Sequence, residues 1–285
     1  MDNQLKTYGL MAAIVGLFML IGGAVGGRSG ALMALVLAGS INFFAYWYSA
    51  EMILKMYQAQ EVGPHNAPDL YHMVAELASR ANLPMPKIYV INEAQANAFA
   101  TGRNPENAAV AFTSGIISAL SYAELRGVAA HELSHINHRD TLLSTLLATI
   151  AGAISGMASL ALWFGVRDEN GRRNWLASLL IGIFAPLAAA LIQMGISRSR
   201  EYLADEGAAK LTNQPLALAS ALAKIDSMAR GLPLQMAEEH PATAQMMIIN
   251  PLSGGEQDHL FATHPATANR IQRLEDFARQ LGQLV

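Results

Sequence analysis

The sequence predicts a mainly α membrane protein in which four transmembrane helices accompany one α+β domain with a small β-sheet. Three observations support this fold class. Apolar residues make up 52% of the 285 residues and charged residues only 14%, against about a quarter in typical soluble domains. Four long segments contain no Asp, Glu, Lys or Arg. Short apolar or β-branched runs bounded by Asn, Gly and Pro lie between the second and third of these segments.

The four uncharged segments are residues 8–27, 30–50, 141–166 and 174–197, which contain 20, 21, 26 and 24 residues. An α-helix rises about 1.5 Å per residue and the hydrocarbon core of a bilayer is about 30 Å thick, so each segment is long enough to cross it. Core helices of a soluble protein are the alternative, but four such segments are hard to bury in a chain this short. A cleaved signal peptide is disfavoured because a second segment follows the first almost at once.

The positions of these segments predict three parts: an N-terminal membrane hairpin (1–50), a second membrane hairpin (141–197), and one domain made of residues 51–140 and 198–285. Because a hairpin returns the chain to the face it left, the two halves of the interrupted domain should meet. The few Lys and Arg residues around the first hairpin place this domain in the cytoplasm. Residues 167–173 contain three arginines, which favour the cytoplasmic side. The second hairpin could therefore enter the membrane without crossing it.

Composition also restricts the chemistry. The chain has no cysteine, which excludes disulfide scaffolds, thiol catalysis and cysteine-bound metals. Any metal must therefore be held by His, Asp or Glu. The net charge of -3 gives no basic surface suited to nucleic acid, which is therefore not an expected partner. The four uncharged segments make the lipid bilayer an expected partner.

The interrupted domain is predicted to be mostly helical. Apolar residues at helical spacing predict three helices, over residues 69–81, 215–228 and 265–281. Residues 87–90 and 108–112 predict a small pair of strands. Ser121 followed by Glu124 is a capping box, so we expect a helix that starts there and continues into the third uncharged segment.

Residues 131–135 have the pattern His-Glu-x-x-His on this predicted helix. Side chains four positions apart share a helix face, so the imidazoles of His131 and His135 can both reach one zinc ion at about 2.0 to 2.1 Å. Glu132 would lie beside a metal-bound water, where it can act as general base. Two solvated histidines are the alternative reading of so short a pattern, but the capped helix and its apolar neighbours favour a metal site.

A catalytic zinc needs a third protein ligand and one open position. Glu201 and Asp205 lie one helical turn apart after the second hairpin. Glu201 is the preferred ligand, and Asp205 could accept a hydrogen bond from the nitrogen of a ligand histidine that does not bind the metal. Competing third ligands are His138, Asp140 and His264. The domain is thus expected to be zincin-like and to hold one Zn²⁺.

Several further motifs accompany these residues: Asp140 after the histidine pattern, residues 97–102, and His264-Pro265 followed by Arg270-Ile271. Together with the order of the four membrane segments, they resemble the HtpX-type membrane zinc metalloproteases, which are related to the CAAX prenyl proteases. The resemblance covers essentially the whole chain. It implies a zinc-dependent endopeptidase of the bacterial inner membrane that cleaves membrane or misfolded proteins in envelope quality control, with its catalytic domain facing the cytoplasm.

The resemblance also bears on the remaining site residues. A donor to the oxyanion is expected beyond the zinc. His264 is preferred to His240 for this role because only His264 is followed by the Arg-Ile pair, although His264 could instead start a helix. Arg270 is expected to pair with Glu201 or Asp205, with a solvated position as the alternative.

An extended protein substrate is expected beside the strand at residues 108–112, with Asn97 either as a contact or as part of a turn. A prenyl-protein-processing protease is the nearest alternative function. A transporter or scaffold with a structural metal site is a more distant one, for which Pro186 and Gln193 in the fourth segment are weak signals.

Overall fold

The computed structural model describes residues 3–163, 198–229, 235–239, 241–249 and 265–283. The predicted fourth membrane segment, the loop before it, His240 and His264 lie outside these residues. Within the described ranges the chain is mainly helical and contains a four-stranded mixed sheet. The predicted combination of many helices with a small sheet is confirmed.

The helices are α1 Asn3–Met56, α2 Pro68–Arg80, α3 Ser114–Ala119, α4 Tyr122–Asn137, α5 Asp140–Trp163, α6 Arg198–Thr212, α7 Pro215–Ala229, α8 Gln235–Glu239 and α9 Thr267–Gln280. The strands are β1 Gln60–Val62, β2 Lys87–Ile91, β3 Ala98–Gly102 and β4 Ala108–Thr113. Single 3₁₀ turns occupy Pro105–Asn107 and Pro241–Met246. The three amphipathic helices and both strands expected from the sequence are present.

Helix α1 doubles back on itself near Gly27, whose φ is +60°. Asn42 Nδ2 donates to the carbonyl oxygen of Met11 at 3.0 Å, although the two residues are 31 positions apart. Gly22 lies so close to Gly30 that a Cβ atom on Gly22 would be 2.5 Å from the Gly30 carbonyl oxygen. These contacts make α1 an antiparallel helical hairpin, and glycine is required where its two arms touch.

The second arm of this hairpin is apolar and open to its surroundings. Residues 27–56 form the one helix within the described ranges that is long and apolar enough to cross a membrane, and Thr7–Leu20 and Asp140–Ala151 are shorter apolar helices. Met33 and Val36 on the second arm are 74% and 69% exposed. So much exposed apolar surface on one helix is unusual for a soluble protein and fits contact with lipid.

The sheet has the strand order β1-β2-β4-β3. Strands β2 and β4 are parallel, and β1 and β3 pair antiparallel with the strands beside them. The expected strand pair is therefore the centre of a larger sheet, and most of residues 97–102 form strand β3 rather than a turn. The buried core lies between this sheet and helices α2, α4 and α7, and includes Leu77, Val110, Phe112, Val128 and Leu222.

Helix α4 begins with the predicted capping box, in which the side chains of Ser121 and Glu124 each accept a hydrogen bond from the other's backbone N–H. The expected continuation into the third uncharged segment is wrong. Helix α4 ends at Asn137, Arg139 adopts a left-handed φ of +56°, and α5 begins at Asp140. The N–H of Arg139 donates to the carbonyl oxygen of Ile136, which closes the end of α4 and lets the chain change direction.

Helices from before and after residues 141–197 meet on α4. Helices α6 and α7, which follow these residues in sequence, pack against α4, which precedes them. At one crossing a Cβ atom on Gly127 would be 3.2 Å from the backbone of Leu218. The close fit of these helices brings residues near 131 and residues near 201 into one site.

Glu124 joins the cap of α4 to α7, and we expect its charge to stabilise the fold in a pH-dependent way. Burial raises its pKa, but the hydrogen bonds from Lys224 (2.8 Å) and Ser220 (2.6 Å) outweigh burial and lower the pKa to about 2 from a usual 4.5. A carboxyl group whose pKa is lowered by folding stabilises the protein above its unfolded pKa and loses that contribution as the pH falls through its folded pKa.

Glu124→Gln should therefore lower the melting temperature at pH 7 by about 2 to 4 °C, as the loss of roughly 1 kcal/mol would do. The difference from the wild type should shrink as the pH falls from about 4.5 towards 2, which thermal unfolding in detergent micelles can follow. An equal difference at pH 7 and pH 3 would contradict the assigned role of the charge.

Candidate active site

Three side chains from two helices converge at one point. His131 and His135 lie on α4 and Glu201 lies on α6, and one ligand atom from each lies within 4.8 Å of the others. The two histidine Nε2 atoms are 3.2 Å apart. Glu201 places Oε2 at 3.6 Å from His131 Nε2 and Oε1 at 3.5 Å from His135 Nε2.

These separations fit a metal ion. Ligands held at about 2.0 to 2.1 Å around a tetrahedral zinc are about 3.3 Å from one another. The two imidazole nitrogens lie at about that distance from each other, and each faces a different oxygen of Glu201 at a slightly longer distance. Two imidazoles and a carboxylate in this arrangement can supply three of four positions and leave the fourth open. The described residues thus bring together the three side chains that the sequence predicts as ligands.

The imidazole of His131 is fixed by a chain of buried charges. Its Nδ1 lies 2.9 Å from Asp205 Oδ1. Arg270 donates to both oxygens of that carboxylate, from Nε at 2.8 Å and from Nη2 at 2.7 Å. Arg270 is 1% exposed, so the alternative of a solvated arginine is wrong, and its Nη1 lies 3.6 Å from Glu201 Oε2. Asp205 is thus the hydrogen-bonded partner of Arg270.

His135 is fixed by a second carboxylate. Its Nδ1 lies 3.1 Å from Asp140 Oδ2. The sequence offered Asp140 as an alternative metal ligand. In the structure Asp140 instead contacts Nδ1 of His135, whereas Nε2 of His135 faces His131. This contact depends on the left-handed turn at Arg139, which brings the first residue of α5 back towards α4. Both histidines therefore direct Nε2 towards the same point while a carboxylate holds Nδ1.

Burial shapes the ionisation of the site. Burial raises the pKa of Glu132, and the two histidines oppose this effect only in part. Burial would lower the pKa of His131, but hydrogen bonds with Asp205 and Glu201 outweigh it and raise the pKa to about 9. Burial would raise the pKa of Asp205, yet the adjacent Arg270 keeps it low. Buried groups with shifted pKa values in one cluster are typical of catalytic sites.

Glu132 lines a small cavity beside the three candidate ligands. The cavity has a volume of about 20 Å³, enough for about one water molecule. Its lining comes from five elements and consists of Ala100, Glu132, His135, Asp140, Thr141, Ser144, Glu201, Gln245 and Met246. His138, an alternative third ligand in the sequence analysis, lines a separate cavity with Ser134 and Gly207. It is therefore not part of the cluster of His131, His135 and Glu201.

The prediction that Asn97 contacts substrate requires correction. Its side chain is fully buried, and Nδ2 donates to the carbonyl oxygen of Ile249 at 3.1 Å. Its Oδ1 accepts from the backbone N–H groups of Ala98 at 3.0 Å and Ile248 at 3.2 Å. Asn97 thus ties the segment at 248–249 to the start of β3, and its amide groups are used within the chain.

The expected substrate position beside residues 108–112 is also wrong. These residues form β4, which has β2 on one side and β3 on the other, so neither edge of β4 is open. The nearest edge strand is β3, whose residue Ala100 lines the small cavity beside Glu132. Sequence reasoning also missed Gln245 and Met246, because nothing in their local pattern indicates proximity to residue 132.

The fold and this cluster define a class of protein, the metalloproteases that carry two ligand histidines on one helix and a third carboxylate ligand on another. Within that class, the chain belongs to the family described as Peptidase family M48, whose pattern matches residues 64–278.

Two relatives named "Protease HtpX homolog", from Burkholderia mallei (strain SAVP1) and Burkholderia pseudomallei (strain K96243), are each 60% identical over 280 residues, which covers 98% of this chain and 98% of theirs. The crystal structure of S. mikatae Ste24p is similar in fold, with a TM-score of 0.53 at 19% identity, and the match covers 96% of this chain and 65% of that one. The predicted HtpX-type membership is confirmed, and the chain is a membrane-bound metalloprotease.

The close approach of α4 and α6 at Gly207 yields a prediction about how the ligand helices are held. A Cβ atom on Gly207 would be 2.6 Å from Ser134 Oγ and 3.1 Å from Ser134 Cβ. Gly207→Ala should therefore force the helices apart and destabilise the protein by about 1 to 3 kcal/mol, despite the better helix propensity of alanine.

In a Ser134→Gly background the same Gly207→Ala substitution should not lower the free energy of unfolding, because the Oγ and Cβ atoms of Ser134 are both absent. A Ser134→Ala background keeps the Cβ atom and should give a partial rescue. Thermal unfolding of this set forms a double-mutant cycle, and an equal cost of Gly207→Ala in all three backgrounds would show that the contact with Ser134 does not set the helix spacing.

Proposed function

We propose that this chain is an integral-membrane zinc endopeptidase that cleaves membrane or misfolded proteins as part of envelope quality control. The observation that carries the proposal is the convergence of His131, His135 and Glu201 beside the buried Glu132, with one ligand atom of each of the three within 4.8 Å of the others. Membership of a peptidase family supports the hydrolysis of peptide bonds.

The proposed ligands are His131, His135 and Glu201. Zinc held there would lower the pKa of a bound water to about 7 and polarise the scissile carbonyl group. Asp205 and Asp140 keep each imidazole in the tautomer that leaves Nε2 free for the metal. Arg270 neutralises Asp205 and prevents that carboxylate from remaining buried without a countercharge.

Glu132 is the proposed general base. It lines the water-sized cavity beside His135 and Glu201, where it can take a proton from the attacking water and pass it to the leaving amine. Because burial raises its pKa, Glu132 holds a proton more readily than an exposed glutamate would. A group that must first accept and then release a proton works best when its pKa is near the working pH.

Substrate is proposed to lie extended along the outer edge of β3. Asn97 accepts from the N–H of Thr113 in β4, whereas the carbonyl of Ala98 accepts from Ile248 on the other side. Because the hydrogen-bonding direction alternates along an antiparallel strand, Ala100 directs its N–H and carbonyl groups to the same outer side as Ala98. Main-chain pairing at Ala100 would hold many sequences, which suits a protease with broad specificity.

The proposed topology is a multi-pass protein of the bacterial inner membrane with four spans and a cytoplasmic catalytic domain. The apolar helix at 27–56 and the exposed apolar side chains on it support a membrane location. Asp140 and Glu201 line the same cavity although 60 sequence positions separate them, which supports a second hairpin that would leave and re-enter the domain at one place.

The catalytic roles can be separated by two substitutions. Glu132→Gln should keep its zinc, measured by elemental analysis, while cleavage of a membrane-protein substrate falls by about two to four orders of magnitude. Glu201→Ala should instead lose zinc as well as activity, because it removes a ligand. Wild-type cleavage by Glu132→Gln would end the proposed mechanism, and full zinc retention by Glu201→Ala would favour His264 as the third ligand.

The number of spans can be tested at the second hairpin. The chain contains no cysteine, so Asn170→Cys introduces a unique site in the connection between the third and fourth segments. If all four segments cross completely, this residue lies on the periplasmic side of the inner membrane. A membrane-impermeant maleimide should then label it in intact cells. Labelling only after the inner membrane is opened would show a re-entrant hairpin.

A further inference from the structure

Gln245 carries a buried amide whose polar atoms have no hydrogen-bond partner among the described residues. It lies in the 3₁₀ turn Pro241–Met246 and is 7% exposed. Within the described part of the chain, neither its Oε1 nor its Nε2 has a hydrogen-bond partner. The buried amide of Asn97, a short distance away in the fold, has both atoms bonded. Leaving buried polar atoms unpaired costs about 1 to 3 kcal/mol, so the position of Gln245 requires an explanation.

The location of Gln245 supplies one. Gln245 lines the cavity of about 20 Å³ that Glu132, His135 and Glu201 also line. A cavity of this size holds about one water molecule, so Gln245 and the proposed general base share the space of a single oxygen atom. Such an oxygen is the attacking water or the carbonyl oxygen of the bond being cleaved.

The charges around the cavity call for a hydrogen-bond donor. Glu132, Asp140 and Glu201 carry carboxyl groups, which only accept hydrogen bonds when ionised. Attack on a peptide bond places negative charge on the carbonyl oxygen, which acceptors cannot stabilise. Gln245 contributes buried N–H groups with no partner in the described residues.

The segment that carries Gln245 is anchored on both sides. Before it, Thr243 Oγ1 hydrogen-bonds with the Tyr57 hydroxyl at 2.5 Å. After it, the N–H of Ile248 donates to the carbonyl of Ala98, and the carbonyl of Ile248 accepts from Arg270 at 2.6 Å. The backbone that carries Gln245 is therefore fixed before substrate arrives, and a donor on a fixed backbone stabilises a developing charge with little reorganisation.

We propose that Gln245 is a catalytic residue that donates a hydrogen bond from Nε2 to the scissile carbonyl oxygen as that oxygen becomes negative. The inference rests on the proposed endopeptidase function. It assigns to a residue of the 241–249 segment the oxyanion contact that the sequence suggested for His264.

The test is Gln245→Met, which keeps the length of the side chain and removes its polar atoms. With a peptide substrate, kcat should fall by about 100-fold or more while KM stays within about twofold, as expected for a contact made only in the transition state. Affinity for a phosphinic peptide, which mimics the tetrahedral intermediate, should fall by a similar factor. Zinc content should be unchanged, and the melting temperature should be unchanged or higher because an unpaired buried amide has been removed.

The matched control is Gln95→Met. Gln95 is another buried glutamine, 1% exposed, and it does not line the cavity, so its substitution should leave kcat unchanged. A kcat within threefold of wild type for Gln245→Met would overturn the inference. Loss of zinc together with a lower melting temperature would overturn it as well, by showing a structural role.

Glu132→Gln measured alongside separates this inference from the proposed function. If the wild type cleaves substrate, Glu132→Gln is inactive and Gln245→Met is fully active, then Gln245 has no catalytic role. The proposed endopeptidase function would still stand. Equal activity in the wild type and Glu132→Gln would remove the proposed mechanism and this inference with it.

Discussion

The buried charge chain from Arg270 through Asp205 to His131 is the constraint on which the rest of the site depends. Arg270 and Asp205 are 1% and 3% exposed, and charges so deeply buried are tolerated only when they are paired and hydrogen-bonded. The chain links α9, α6 and α4, and through the carbonyl of Ile248 it reaches the segment that carries Gln245. Since Glu201 lies one helical turn before Asp205, fixing Asp205 also fixes the position of Glu201, the proposed third ligand.

The same cluster is rich in carboxyl groups. Among the described residues, Glu132, Asp140, Glu201 and Asp205 lie around two imidazoles and the guanidinium group of Arg270. The raised pKa of His131 is one result, because adjacent carboxylates favour the protonated ring. A divalent cation between the two Nε2 atoms would supply the positive charge that the proton otherwise provides, so metal binding and proton release are coupled.

Local features of the sequence predicted much of the site. The capping box marks the start of the helix that carries the two histidines. The histidines four positions apart and the Glu201–Asp205 pair follow helix periodicity, and the structure brings these four side chains together. What the sequence could not predict depends on the path of the chain between elements. The left-handed turn at Arg139, the strand order that encloses β4, and the approach of Gln245 to the cavity arise from tertiary packing.

The distance in sequence between the two helices of the candidate site has a consequence for biosynthesis. A ribosome completes the helix with both histidines before it has made Glu201, and Arg270 is made still later. The nascent polypeptide therefore lacks part of the cluster while its uncharged segments are being made. The order of synthesis alone delays assembly of the cluster until residue 270 has been added.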